Sequence, residues 1–111
     1  MDKTDALAAL AALGQETRID IFRLLVRAGG DGVAAGDIAR QLDARQNTVS
    51  THLSVLTRTR LIASRREGRS VRYFADMDTM NALVAYLAED CCGGVAPACP
   101  PLAAPHERTS R

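Results

Sequence analysis

The sequence predicts a mainly α-helical chain carrying one β-hairpin, and three observations predict it. Apolar residues recur at helical spacing in five separate stretches. Two β-competent segments flank Glu67-Gly68-Arg69, and the second alternates through Val71, Tyr73 and Ala75. Basic charge is concentrated in one block: residues 45–72 hold seven arginines against Glu67 alone, whereas the flanking segments are net acidic.

With 111 residues and 47% hydrophobic content, the chain suits one small domain with a modest core. We place that domain at residues 1–92 and expect residues 93–111, rich in Gly, Pro and Ala with a polar end, to form a flexible tail. No apolar run approaches the ~20 residues that span a bilayer, and Met1-Asp-Lys-Thr-Asp lacks the order of a signal peptide. The expectation is a cytoplasmic protein without membrane contact.

Leu7, Leu10 and Leu13 in an alanine-rich stretch suit a first short helix ended by Gly14. Ile19, Phe22, Leu25 and Val26 mark a second, about Glu16 to Ala28, stopped by Gly29-Gly30-Asp31-Gly32. A third, about Ala35 to Leu42, buries Ile38, Ala39 and Leu42, and a fourth, about Arg45 to Thr59, buries Val49, Leu53 and Leu56. Leu61 to Arg66 and Ser70 to Ala75 are the hairpin strands. A last helix, about Thr79 to Asp90 with Asp76 or Asp78 as cap, carries Met80, Leu83, Val84 and Leu87.

Two short helices joined by a tight turn, the second apolar inside and polar outside, make a helix-turn-helix, and the hairpin after it is a wing. Arg45, Gln46, Asn47, Thr48, Ser50 and Thr51 lie at the end of the recognition helix that enters a major groove, where each base pair shows its own donor and acceptor pattern. Arg65, Arg66, Arg69 and Arg72 can pair with phosphates. The bland reading of these arginines is a solvated face that protects an edge strand from aggregation, and Arg72 is more open to it than Arg69. His52, beside Leu53, suits packing or backbone positioning rather than catalysis.

All three cysteines fall within nine residues, Cys91, Cys92 and Cys99, around Gly93, Gly94 and Pro97. In a reducing compartment such a cluster reads as metal-binding or redox-active, and three is an odd count for a disulfide framework. Three soft sulfurs without an obvious fourth donor suit a three-coordinate centre such as As(III) or Sb(III) better than tetrahedral zinc. Oxidation by peroxide or persulfide, Cd(II) or Pb(II) binding, and inert thiols are the rival readings. A thiol enzyme would want a CxxC at a helix start near a βαβ unit, which is missing; the chain is not read as an enzyme.

The order of elements, with Glu16-Thr17-Arg18, Gln46-Asn47-Thr48-Val49-Ser50-Thr51-His52-Leu53, Leu61-Ile62 and Arg66-Glu67-Gly68-Arg69, resembles the ArsR/SmtB family of winged-helix repressors over residues 5–92. The resemblance implies a homodimer that binds double-stranded operator DNA and leaves it when an inducer binds. Many arsenic sensors of the family carry Cys-Val-Cys on the first helix of the helix-turn-helix, where this chain has Val33-Ala34-Ala35-Gly36-Asp37; zinc sensors use histidines on the last helix, and residues 76–90 have none. The cysteines that remain resemble an arsenical-responsive subgroup with a vicinal pair after the last helix. The first and last helices are expected to form the dimer interface through Leu7, Leu10, Met80, Leu83, Val84 and Leu87.

Overall fold

The computed structural model describes residues 1–89. Its elements run α1 (Lys3–Leu13), α2 (Glu16–Ala28), a 3-10 turn (Gly29–Asp31), β1 (Val33–Ala34), α3 (Ala35–Leu42), α4 (Gln46–Arg58), β2 (Ile62–Glu67), β3 (Ser70–Ala75) and α5 (Met77–Ala88). The expected tail and the three cysteines lie outside the described residues. No described helix is long and apolar enough to cross a membrane.

Helix α1 starts where the Asp2 carboxylate accepts from the Asp5 amide, a side-chain N-cap. It turns Ala6, Ala9 and Ala12 inward and leaves Leu7 and Leu10 exposed, so small residues bring its backbone close to the core. In α2 the inner stripe differs from the one expected. Ile21, Phe22 and Leu25 are buried, whereas Ile19 and Val26 are exposed. Arg18 takes the inner position one turn before Ile21 and Phe22: its Nε donates to the Ala12 carbonyl at 2.6 Å. A polar residue on the inner face thus shifts the apolar stripe by one position, which a count of hydrophobic spacing alone misassigns.

Strand β1 was not expected. It is two residues long and pairs antiparallel with β3, Val33 opposite Tyr73, giving a three-stranded sheet of order β1-β3-β2. Gly32 makes this pairing possible: it sits at φ +64°, and a Cβ there would come within 2.6 Å of the Tyr73 carbonyl oxygen and against the Phe74 ring.

The turn from α3 to α4 is Asp43-Ala44-Arg45. Asp43 is left-handed at φ 53°, and the Ala44 amide donates back to the Ala39 carbonyl, closing α3 as a residue type tolerant of that conformation allows. Leu42, expected in the core, is partly buried at its edge. Helix α4 buries Val49, Leu53 and Leu56 as expected. It ends through a left-handed Arg60 and a Leu61 amide that donates to the Leu56 carbonyl.

Strands β2 and β3 join through a two-residue turn at Gly68-Arg69, with Glu67 opposite Ser70. Gly68 alone of the two has positive φ, the type II′ pattern that suits a hairpin. Asp76 caps α5 by accepting from the Thr79 amide at 3.1 Å.

The core gathers Ile21, Leu25, Ile38, Val49, Leu53, Leu56, Leu61 and Ile62 beneath the helix-turn-helix, each side chain contributing about 1.5–3 kcal/mol by burial. Leu83, expected at the dimer interface, is instead a member of this core at 3% exposure, so its burial needs no second subunit. Its helix is pinned at the start by Asp76, whose amide donates to Leu61, and this seats Leu83 inward. Met80 is partly buried against the same cluster, Val84 is half-buried and Leu87 is 57% exposed.

Candidate nucleic-acid interface

Burying Val49, Leu53 and Leu56 fixes the rotation of α4, because residues three and four apart share a face. The opposite face must then present Gln46, Asn47, Thr48, Ser50, Thr51 and Ser54, and all six are exposed together with Arg45. No side chain caps the start of α4. The Thr51 hydroxyl donates to the Asn47 carbonyl at 3.1 Å, so in the free protein its donor is used within the helix. Gln46, Asn47 and Ser50 likewise present exposed polar side chains on this face.

The outer face continues through Ser54, which the sequence already puts on that side, to Thr57 and Arg58, which it did not single out. Ser54, Thr57 and Arg58 line a shallow cleft of about 350 Å3 shared with Ser64 of β2 and Tyr73 of β3. The sequence signal for it was the polar spacing 47, 50, 54, 57 along one helix, which runs on past the N-terminal half. Strand register places Ser64 directly opposite Tyr73, so the two groups share one sheet face.

That register also sorts the wing arginines. Ile62, Ser64 and Arg66 alternate on one face with Ala75, Tyr73 and Val71; Ala63, Arg65 and Glu67 occupy the other with Phe74, Arg72 and Ser70. Arg66 therefore shares the face that lines the cleft against α4, and Arg69 stands in the turn. Arg65 and Arg72 lie on the opposite face and already have partners. The Glu67 carboxylate accepts from Arg65 at 3.1 and 3.3 Å and from Arg72 at 3.2 Å. Arg65 also stacks 4.6 Å from the centre of the Phe74 ring, and Arg72 donates to the Asp31 and Gly32 carbonyls. Hydrogen bonds from Arg65 first, then Arg72, hold the Glu67 carboxyl below its usual range.

His52 is half-buried on the flank of α4, its Nδ1 lying 3.3 Å from Arg18 Nη1. Burial first, and the Arg18 charge second, hold its imidazole below the ordinary value of 6.5. A neutral ring with Nδ1 as acceptor fits that contact. This is a positioning role: Arg18 ties the end of α1, the start of α2 and the recognition helix together.

Among the described residues, no group of three His, Cys, Asp or Glu side chains is placed to hold a metal ion. The expected ligands Cys91, Cys92 and Cys99 fall beyond them.

Residues 13–65 match the family described as a helix-turn-helix domain. The chain is 28% identical over 94 residues to the transcriptional activator HlyU of Vibrio cholerae, covering 83% of this chain and 84% of that one. Among solved structures, it is similar to an ArsR-like transcriptional regulator from Rhodococcus sp. RHA1, at 29% identity and TM-score 0.67 over 78% of this chain and 77% of that one. It is also similar to the homodimeric winged helix-turn-helix DNA-binding domain of Mb0332 from Mycobacterium bovis, a possible ArsR-family regulator, at 28% identity and TM-score 0.64 over 78% and 81% of the two chains. HlyU and the Rhodococcus protein are named as transcriptional regulators, and the Mb0332 domain as DNA-binding, in keeping with the sequence reading of a DNA-binding regulator. With its exposed polar α4 face and arginine-bearing wing, the chain has a winged helix-turn-helix fold similar to that of ArsR-like and HlyU transcriptional regulators.

Proposed function

We propose that the protein is a cytoplasmic transcriptional repressor that binds operator DNA as a homodimer and releases it when As(III) or Sb(III) is bound by Cys91, Cys92 and Cys99. The DNA half of this reading is carried by one observation: every polar residue on the outer face of α4 from Gln46 to Ser54 is exposed, beside a wing whose Arg66 and Arg69 are exposed too. The homodimer is supported by the Mb0332 domain, described as homodimeric, and by the exposed Leu7, Leu10 and Leu87 on α1 and α5. A dimer offers two recognition helices to two half-sites of an inverted repeat.

The metalloid half rests on donor chemistry. Three thiolates within nine residues suit a thiophilic trivalent ion, and Gly93 and Gly94 permit a sharp reversal between the vicinal pair and the third cysteine. Helix α5 ends at Ala88, three residues before Cys91. Closing the loop 93–98 over the ion re-seats the end of α5 beside the dimer face and changes the separation of the two recognition helices. A coupling of about 1–3 kcal/mol, typical between such sites, weakens operator binding about 5- to 150-fold.

The test is to titrate the reduced protein, bound to DNA from upstream of its own gene, with As(III), Sb(III), Cd(II), Pb(II), Zn(II) and peroxide. Release by As(III) or Sb(III) alone supports the proposal. Release by Cd(II), Pb(II) or peroxide in their place assigns the thiols to those signals.

A further inference from the structure

Glu67 is the one acidic residue among seven arginines in residues 45–72, and it stands in the wing, where it works against attraction to phosphate. Its geometry is specific. One oxygen faces the Nε and Nη2 of Arg65, the other faces the Nε of Arg72, and the three residues share the sheet face opposite the cleft. Arg72 is held further by the Asp31 and Gly32 carbonyls, and Arg65 by the Phe74 ring. Arg66 and Arg69 are exposed and make no ion pair among the described residues.

We propose that Glu67 tunes the DNA affinity of the wing: by pairing with Arg65 and Arg72, whose outer face the strand register fixes, it limits the wing to two phosphate-seeking arginines. Phosphate contacts carry no sequence information, and each adds to binding of any duplex through counterion release. A four-arginine wing would raise affinity for all DNA and steepen its loss with salt, while the preference for one site stays with the base contacts of the recognition helix. Glu67 acts through the two arginines and touches no base.

The inference rests on the DNA-binding reading, and the experiment separates the two. Full-length parent, Glu67→Gln, the Arg65→Gln/Arg72→Gln pair and the triple variant are titrated onto a random-sequence duplex and onto DNA from upstream of the gene, between 50 and 200 mM salt. Glu67→Gln keeps the side-chain shape while removing the charge. It is expected to bind the random duplex more tightly at low salt and to lose about 3- to 12-fold more affinity than the parent across that range, the change for one or two added phosphate contacts. The ratio of upstream to random affinity should stay as in the parent, because phosphate contacts add equally to both duplexes. In the Arg65→Gln/Arg72→Gln background, Glu67→Gln should leave the salt slope where it was. An unchanged slope in the single variant overturns the inference, as does an equal change in the triple variant, which would make Glu67 a general charge. A parent that binds neither duplex overturns the DNA-binding reading itself. Thermal melts of all four proteins confirm that folded material is compared.

Discussion

Arg18 Nη1 lies 3.3 Å from His52 Nδ1, and the same guanidinium donates through Nε to the Ala12 carbonyl, so one side chain joins the end of α1 to the recognition helix. Because burial and Arg18 depress the His52 pKa, the folded state favours the neutral ring and the unfolded chain binds a proton more readily. The stability that depends on a neutral His52 is complete above the ordinary value of 6.5 and is lost as pH falls below it. Denaturation midpoints from pH 7.5 to 5.5 should decline in the parent and decline less in His52→Gln. Parallel curves would remove His52 as the titrating group.

The wing arginines should divide by face. Arg66→Ala or Arg69→Ala should weaken binding to all duplexes and reduce the salt slope by about 0.9 each, the value of one phosphate contact. Arg65→Ala and Arg72→Ala should change it less, because Glu67 already holds both. Gln46→Ala or Asn47→Ala should instead alter preference at particular base pairs by about 1–3 kcal/mol. Salt titrations against a panel of single-base operator variants distinguish the patterns.

The two leucines of α5 should behave oppositely. Leu83→Ala removes a fully packed side chain and should destabilise the subunit by about 2–5 kcal/mol, read by denaturant unfolding. Leu7→Glu with Leu87→Glu, both at exposed positions, should leave the fold intact and yield monomers in sedimentation, with poor operator binding. An intact dimer in that pair would place the interface elsewhere.

Much of the fold was legible because helix period and turn chemistry agree along the chain. α2 and α3 begin and end where spacing and glycines put them, and the buried stripe of α4 is the one its leucines and valine mark. Where the sequence misled, a long-range contact had replaced a local signal. Arg18 faces inward because Ala12 and His52 meet it there, which moves Ile19 outward. β1 exists because β3 offers an edge and Gly32 allows close approach, and two residues carry no period of their own. Leu83 and Leu87 share a stripe in sequence, yet only one reaches the core. At the interface, the outer face of α4 was readable from its inner one. The sorting of Arg65 and Arg72 away from Arg66 needed the strand register, which follows from a hairpin turn at Gly68-Arg69 and not from composition.

Release of operator DNA by As(III), followed by fluorescence anisotropy in the parent and in Cys99→Ser, tests the central claim most directly. A hydroxyl is a poor substitute for a soft thiolate, so the account predicts that both proteins bind the operator equally. The parent should be released by about one As(III) per subunit and Cys99→Ser should stay bound. Release of both at the same As(III) concentration, or of neither, would contradict a three-thiolate inducer site.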